Sequence, residues 1–402
     1  MKIQKTFPPV AAKLSCKNLF YGLAAILGGG DGGNIEKEIG ECFGYRHAFS
    51  FSSGKAALCL LLAALESLKK RRKVVIPGYT CFSVASAVRK AGLEIALCDI
   101  RSDTLDFDFD QLEAVTDEDT LCIVSTHLFG IRSDVGRARE IARRKGIFVV
   151  EDSAQAFPAF WGGEENIRGD AEFFSFGRGK NITCGSGGLL LASSEEIAGE
   201  LRGRFESLET ESRMSPARSL AGLALMKVFM HPWLYWLPDG VPHLKLGETI
   251  YDENYPILKM NKLKYKFISD WKERIRLANE TRSLVGEKYK ETLGVNREHR
   301  IYAGHVPYLR FPVYMKDSET KFRALRECRH LGVSGMYPSS ICAISELSGL
   351  VKAGSCPGSA DIVARLVTLP THHYVTENIM EKICAAVTEN IHMYRPEKQR
   401  EA

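Results

Sequence analysis

Between about residues 49 and 193 the chain alternates short apolar runs with longer segments of helical periodicity. The apolar runs are rich in β-branched or aromatic residues and read VVIPGY, LEIALCDI, LCIVSTHLFG, IFVVED, AEFFSF and GLLLAS. Most of them are nearly continuous in apolar side chains, which is typical of strands buried on both faces of a parallel sheet. The pattern therefore predicts a mostly parallel sheet that is covered by helices.

Two of the intervening segments carry clear helix signals. The segment AALCLLLAALESLKK consists of good helix formers and ends in a basic turn. The segment DVGRAREIARRKG has an aspartate placed as an N-cap, a basic last turn and a glycine placed as a C-cap. A helix between two buried strands is a β-α-β unit, so we expect an α/β fold with a doubly wound open sheet. Functional groups in such a fold lie at the carboxyl ends of the strands.

The segment 204–256 departs from this alternation. It is apolar and aromatic, but Lys227, His231 and several prolines interrupt it. Three interpretations are open: a packed extra helix, a lid over the active site, or a helix on a membrane surface. We favour packing or a lid over membrane contact by residues 219–245, because the segment lacks a strong charged face.

The last third of the chain predicts a second, smaller unit. A long charged helical pattern runs from Lys262 to Leu293, and YLRFPVYMK predicts a strand. We therefore predict a large domain over residues 1–255, with 204–256 as an atypical insert, and a smaller C-terminal α/β domain over residues 256–402.

Composition excludes several classes of protein. The chain has 402 residues, of which 45% are hydrophobic and 26% charged, and a net charge of +5, as expected of a globular enzyme with no nucleic-acid site. Eleven cysteines are scattered without a CxxC or zinc-like spacing, which indicates a reducing compartment and no metal site. The N-terminus is a poor signal peptide, and no run approaches the ~20 apolar residues of a membrane span. A cytoplasmic location is expected.

Three groups of polar residues follow predicted strands. Asp152 ends the strand IFVVED, and Ser175 and Lys180 follow the next strand, 180 − 152 = 28 residues on. Upstream, Ser53, Gly54 and Lys55 lie where a strand turns into a helix, and free amides at such a turn bind anions. A strand-end carboxylate that is buried needs a positive charge nearby.

These groups match the needs of pyridoxal 5′-phosphate (PLP). Its phosphate binds helix-terminal amides and hydroxyls, its pyridine nitrogen pairs with a carboxylate, and its aldehyde forms a Schiff base with a lysine. Each group alone is more often a cap or an ion pair, so the prediction rests on their order and spacing.

The chain resembles the DegT/StrS-type sugar aminotransferases, PLP enzymes of fold type I, from about Glu36 to the C-terminal region. The likeness is strongest in SSGKAAL, VVIPGYTCFSVASAVRKAG, VSTHLFGIRSDV, VVEDSAQAFPA and FFSFGRGKNITCGSGGLLL. The resemblance implies that Lys180 is the catalytic Schiff-base lysine and that Asp152 pairs with the pyridine nitrogen. It also implies that Gln155 lies near the phenolic oxygen of the coenzyme and that Cys81 lies at its ring. The implied contacts of the phosphate are Ser53, Gly54, Lys55 and Ser175.

Several positions depart from the usual forms of this family. Lys55 replaces a threonine of the phosphate-binding turn, and Ser186 replaces the glutamate of an EGG motif. Cys81 stands where an aromatic residue often stacks on the coenzyme, so either Cys81 or Phe82 would take that place. The family's Asn-Tyr-Arg segment reads Ile257-Leu258-Lys259 if KMNKL is aligned to it.

Three further residues are candidates for substrate contact. His127 follows a central strand and either lines the substrate cleft or forms structural hydrogen bonds. Arg178 either faces an anionic part of the substrate or is solvated. His372, in LPTHHY, matches a loop that enters the site in the family.

The predicted function is amination of a keto sugar, which the resemblance implies is linked to a nucleotide, with glutamate as the expected donor. The resemblance also implies a homodimer with shared active sites. The alternatives are a PLP lyase or desulfurase on the same fold, which would need a mobile catalytic cysteine, and a PLP-binding regulator or scaffold.

Overall fold

A computed structural model describes residues 4–28, 33–157, 167–241, 249–352 and 356–388. Its strands are β1 (His47–Phe51), β2 (Lys73–Pro77), β3 (Glu94–Cys98), β4 (Ile100–Arg101), β5 (Asp106–Phe107), β6 (Thr120–Thr126), β7 (Phe148–Asp152), β8 (Ala171–Ser175), β9 (Gly188–Ala192), β10 (Arg310–Tyr314), β11 (Val351–Lys352) and β12 (Leu366–Pro370). Its α-helices are α1 (Cys16–Gly28), α2 (Ile35–Cys42), α3 (Gly54–Lys69), α4 (Phe82–Lys90), α5 (Phe109–Val115), α6 (Val135–Lys145), α7 (Glu195–Glu206), α8 (Ser215–Phe229), α9 (Trp236–Asp239), α10 (Trp271–Leu293), α11 (Ser318–Cys328), α12 (Pro357–Arg365) and α13 (Glu377–Thr388).

The central sheet has the strand order β1-β9-β8-β7-β6-β2-β3-β11. All neighbours from β8 to β11 pair in parallel, whereas β9 pairs antiparallel with both β8 and β1. Helices cover both faces, and the strands alternate between them: Val75 of β2 packs in one core cluster, while Val74 and Ile76 pack in the other. The predicted α/β fold with a mostly parallel, doubly wound sheet is confirmed.

Side-chain caps explain where several helices begin. Ser53 and Asp134 accept hydrogen bonds from the backbone N–H groups of Ala56 and Arg137, at the starts of α3 and α6. The helix α6 ends at Gly146, whose φ of 61° is left-handed, as expected for a glycine C-cap. The local sequence signals therefore fix both ends of the predicted helix DVGRAREIARRKG.

Both edges of the central sheet are covered by segments from later in the chain. The two-residue strand β11 pairs with β3 at one edge. At the other edge, residues 258–260 run beside β1: Ser52 N–H donates to the carbonyl of Leu258 at 2.9 Å, and Met260 N–H donates to that of Ser50 at 3.1 Å. No long, unpaired strand therefore lies at the edge of the sheet within the described residues.

The C-terminal part contains a separate two-stranded antiparallel sheet, β10 with β12, surrounded by α10 to α13. The segment from Lys262 to Leu293 is not one helix: residues 262–268 form a 3₁₀ helix, and α10 begins only at Trp271. Asp270 lies at the N-cap position of α10, and its carboxylate accepts a hydrogen bond from Asn18 Nδ2 at 2.7 Å. The predicted boundary between residues 255 and 256 stays a prediction.

The atypical segment 204–256 is partly helical. It contains the end of α7, then α8 and α9. Residues 242–248 lie outside the described residues, and they include the last four positions of the range 219–245 considered for membrane contact. Across the described parts of the chain, no helix is both long and apolar enough to cross a membrane.

Candidate active site

The topology brings Asp152 and Ser175 to the same edge of the sheet. Asp152 is the last residue of β7 and Ser175 the last of β8, and these strands are parallel neighbours in which Asp152 is paired with Phe173. The first residue of α3 meets this edge, since a Cβ added at Gly54 would lie 3.2 Å from Ser175 Cβ. The turn Ser53-Gly54 and the two strand ends therefore lie close together, as the sequence predicted.

The turn before α3 is held against β9. A Cβ at Gly188, the first residue of β9, would lie 2.5 Å from the carbonyl carbon and oxygen of Ser53. Real side chains do not approach a backbone so closely, so position 188 requires glycine. The Ala56 N–H of the first turn of α3 donates to Ser53 Oγ at 3.2 Å, and a helix start with further unpaired N–H groups suits an anion.

Asp152 is a buried carboxylate with little compensation. It is 4% exposed, and Oδ1 accepts a hydrogen bond from the backbone N–H of Ala154 at 3.0 Å. Burial raises the pKa of the Asp152 carboxyl, while that hydrogen bond and the positive charge of Lys180 act to lower it. A cationic ligand beside Asp152 would supply the missing compensation.

Lys180 lies on the loop that joins β8 to β9 and is half-buried. Left-handed glycines flank it, with φ of 75° at Gly179 and 91° at Gly185, so the loop turns sharply without side-chain crowding. Among the described residues, none pairs with the Lys180 amine, although its charge acts on Asp152. The amine is therefore available to a ligand at the carboxyl end of the sheet.

The residue after Lys180 anchors the loop to the C-terminal part of the chain. Asn181 is buried, and its Oδ1 accepts a hydrogen bond from an Arg282 guanidinium nitrogen at 2.8 Å. Burial, and then the charge of Arg310, lower the pKa of Arg282 to about 10. Sequence analysis did not single out Arg282, whose only sequence signal is a basic residue within a charged helical pattern.

The comparisons with known proteins agree with this geometry. Residues 24–214 match the DegT/DnrJ/EryC1/StrS aminotransferase family. Over these residues, slightly less than half of the chain, the sequence is similar to that family. A GDP-perosamine synthase of Caulobacter vibrioides is 32% identical over 169 residues, which are 42% of this chain and 45% of that protein, so the aligned region spans about half of the relative.

Solved structures with the same fold cover nearly the whole chain. The Helicobacter pylori aminotransferase PseC matches with a TM-score of 0.74 and 16% identity, over 96% of this chain and 99% of that one. The PLP form of the sugar aminotransferase Spr1654 from Streptococcus pneumoniae matches with a TM-score of 0.73 and 17% identity, over 96% and 98%. Fold type I is thereby confirmed, and DegT-family aminotransferases depend on PLP, as predicted.

The described residues fit PLP at this edge of the sheet. An incompletely compensated buried carboxylate, a lysine amine without a partner among the described residues, and a turn where glycine keeps the backbone open lie together. Asp152 would hold the ring nitrogen, Lys180 the aldehyde carbon, and Ser175 with the Ser53-Gly54 turn the phosphate. No cluster of His, Cys, Asp and Glu in the described ranges would hold a metal ion.

Gln155 is fixed by hydrogen bonds at both ends of its side chain. Its Oε1 accepts from the backbone N–H of Phe129 at 3.1 Å, and its Nε2 donates to the hydroxyl of Tyr337 at 2.6 Å. The ring of Tyr337 meets that of Tyr79 edge-on at 5.1 Å between centroids. Tyr337 and Tyr79 were missed by sequence analysis, because nothing in the chain order links residue 155 to residue 337.

The two candidates for the stacking position lie on different sides of the fold. Cys81 is half-buried against the core cluster that contains Tyr79 and Tyr337, whereas Phe82 is buried in the other cluster, with α3 and α4. Which of the two lies against the coenzyme ring stays a prediction.

Lys55 and Arg178 occupy more exposed positions. The Lys55 amine contacts Asp252 at 3.2 Å and lies 4.0 Å from the ring centre of Tyr255, so in this structure it is engaged with the segment after 249 rather than with the turn that precedes α3. Arg178 is exposed on the loop before Lys180.

The two candidate histidines are buried and hydrogen-bonded within the protein. His127 is fully buried; its Nε2 bonds Glu151 at 3.0 Å, and its Nδ1 accepts from the N–H of Ser133 at 3.1 Å. Nε2 of His372 bonds the carbonyl of Pro8 at 2.7 Å, and burial lowers the pKa of His372 to about 3. Of the two interpretations of His127, the structural one matches these contacts, and His372 has an equally structural environment.

The departure at Ser186 has a structural counterpart. The buried amine of Lys264 donates to Ser186 Oγ at 2.9 Å and to both carboxylate oxygens of Glu211 at 3.1 Å. An acidic side chain from a different part of the chain therefore supplies negative charge near the position where the resemblance implies a glutamate. The sequence showed that position 186 departs from the usual motif, but it did not show that Lys264 and Glu211 lie beside it.

Proposed function

We propose that this protein is a PLP-dependent aminotransferase that converts a keto sugar, linked to a nucleotide, to an amino sugar with glutamate as the donor. The observation that carries the proposal is the meeting of the buried Asp152 carboxylate and the available Lys180 amine at one edge of the sheet, in a chain of an aminotransferase family. PLP, when bound, supplies an aldehyde that condenses with amines and a protonated ring that accepts electrons from the donor's α-carbon.

The residues of the chain divide the remaining work. Lys180 Nζ takes the proton from the α-carbon of the amino donor and later returns it, as general base and then acid. Asp152 keeps a cation in place beside it, because burial makes an unpaired carboxylate there costly. Gly54 and Gly188 allow the backbone N–H groups at the start of α3 to approach a phosphate closely.

The choice of substrate rests on the relatives. One is named as a GDP-perosamine synthase, and a structure with 18% identity, DesI, was solved in the presence of its TDP-sugar product. These names support a nucleotide-linked sugar. Glutamate as donor, a homodimer with shared active sites and a cytoplasmic location are further parts of the proposal and follow from the resemblance.

The test begins with the covalent site. Purified protein incubated with PLP and then treated with borohydride should gain the mass of the reduced coenzyme on the peptide that contains Lys180. Lys180→Arg should lose that label and all transamination, whereas a matched exposed lysine variant, Lys37→Arg, should keep both. Label on another lysine, or turnover by Lys180→Arg, would overturn the assignment.

A second measurement separates the alternatives. Glutamate should convert the bound coenzyme to its pyridoxamine form, and a panel of nucleotide-linked keto sugars should then restore the PLP form. A regulator would bind PLP without this conversion, and a lyase or desulfurase would release its product without needing a keto sugar. Conversion by glutamate with no response to any keto sugar would reject only the sugar part of the proposal.

A further inference from the structure

Helices α1 and α8 pack side by side and expose apolar side chains to solvent. The exposed positions of α8 and of its N-cap residue follow one stripe, at residues 214, 218, 221, 225 and 228, with steps of four and three. Met214, Leu225 and Val228 in this stripe are each at least half exposed. Such spacing keeps residues on one face of a helix, so the solvent-facing side of α8 is largely apolar.

The helix α1 also exposes large apolar side chains, and it buries small or polar residues. Its buried residues include Asn18, Gly22 and Ala25, whereas Phe20 is 66% and Leu27 78% exposed. A helix that only covered a core would bury its large apolar side chains and expose its small and polar ones. Contiguous exposed apolar surface of this kind marks a site that is covered by a partner or a membrane.

The two helices also share a charge pattern. Residues 4–28 and 212–238 contain no aspartate or glutamate, and their cations are Lys5, Lys13, Lys17, Arg213, Arg218 and Lys227. The sequence of 204–256 lacked a strong charged face when considered alone, and the N-terminal segment that contains α1 adds Lys5, Lys13 and Lys17. The exposed Trp233 lies nearby, with the amine of Lys5 5.7 Å from its ring centre, and tryptophan beside lysine is typical of membrane interfaces.

We propose that the face formed by α1 and α8 binds the surface of an anionic phospholipid bilayer, with its apolar stripe at the level of the headgroups. The charge pattern favours this occupant over a second copy of the chain, because a two-fold pairing of this face would bring basic groups against basic groups. The helices would lie in the plane of the membrane, and α8, with 15 residues, is too short to cross it. This proposal does not depend on the proposed activity.

Sedimentation of the full-length protein with vesicles tests the proposal. We expect binding to vesicles of phosphatidylcholine with phosphatidylglycerol, weak binding to phosphatidylcholine alone, and loss of binding at high salt. Replacing Leu225 and Val228 with serine should weaken binding by about tenfold or more. Replacing Lys13 and Lys17 with glutamine should weaken it by about fivefold per charge at low salt.

Matched controls come from other exposed apolar residues. Leu284, 61% exposed on α10, and Phe322, 72% exposed on α11, should be replaceable by serine without effect on vesicle binding. The fluorescence of Trp233 should shift to shorter wavelength with anionic vesicles, and Trp233→Phe should remove that shift.

Three results would overturn the proposal. The first is no binding of the unaltered protein to anionic vesicles. The second is an equal loss of binding in the Leu284 or Phe322 control. The third is a Leu225/Val228 variant that changes the mass of an oligomer in light scattering while its vesicle binding stays the same, since a second copy would then cover this face.

Discussion

Replacing Lys264 with methionine should destabilise the protein far more than loss of a surface lysine. The side chain of Lys264 has no exposed surface, and its amine holds both oxygens of the Glu211 carboxylate, which is itself 9% exposed. Without the amine, the carboxylate keeps one donor among the described residues, the backbone N–H of Asn261 at 3.0 Å. A buried charge would then lack its counter-ion.

The size of the effect follows from this burial. Removing one partner of a buried ion pair typically costs about 3–5 kcal/mol, because the other charge stays desolvated. Replacing both partners with apolar or neutral groups of similar size is often nearly neutral. We therefore expect Lys264→Met to lower the free energy of unfolding by about 3–5 kcal/mol, and Lys264→Met with Glu211→Gln to recover most of that loss.

Urea unfolding followed by far-ultraviolet circular dichroism measures both variants and the single Glu211→Gln, which completes a double-mutant cycle. Lys288, which pairs with Glu377 at 3.0 Å on the surface, provides the matched control, and Lys288→Met should cost less than about 1 kcal/mol. The reasoning fails if Lys264→Met is no worse than Lys288→Met, or if the double variant is as unstable as the single one.

Three other predictions concern the site and its surroundings. Asp152→Asn should lower kcat/KM with glutamate by about a hundredfold or more in kinetic assays. The same variant should raise the urea midpoint of the coenzyme-free protein, because burial raises the pKa of Asp152 and makes its charged form unfavourable. Gly188→Ala should cost about 1–3 kcal/mol in urea unfolding and weaken PLP binding in titrations, because its Cβ would displace the Ser53 backbone. His372→Gln should flatten the acid side of the stability profile: the pKa of His372 falls from 6.5 in the unfolded chain to about 3 in the fold, so stability is lost as the pH falls from about 6.5 towards 3, by about 2 kcal/mol at pH 5.

Each of these has a control. For Asp152, an activity loss without gain in stability would mean that the carboxylate is already compensated. Gly199→Ala in α7 meets no atom within 4 Å and should stabilise the protein slightly, so equal losses at positions 188 and 199 would exclude a steric cause. His305 has an exposed side chain, and a His305→Gln variant that flattens the acid limb as much as His372→Gln would show that burial is not responsible.

The central part of the site was predictable because strand order determines it. Asp152 and Ser175 close successive parallel strands, so their positions follow from the apolar runs before them. The turn at Ser53 and Gly54 was recognisable because small residues precede a run of residues with high helix propensity. Local sequence therefore predicted both the edge of the sheet and the position of the turn before α3.

Contacts between distant parts of the chain could not be predicted in this way. The hydrogen bond from Gln155 to Tyr337 spans 182 positions of the sequence. The hydrogen bond from Lys264 to Glu211 depends on how the 3₁₀ helix of residues 262–268 packs against the loop between β8 and β9. The apolar face of α1 and α8 was also hidden, because its apolar and basic residues are divided between two segments that are far apart in the sequence. A motif search sees each segment alone.

The edges of the central sheet are paired by segments from later in the chain, and this has a consequence for the incomplete chain during synthesis. During synthesis β1 to β9 emerge first, and at that stage β1 and β3 have open backbone groups that could pair with strands of other molecules. Residues 258–260 close one margin and residues 351–352 the other only after most of the chain has left the ribosome. A chain truncated before residue 351 should therefore aggregate more readily than the full-length chain, because the edge of β3 stays unpaired.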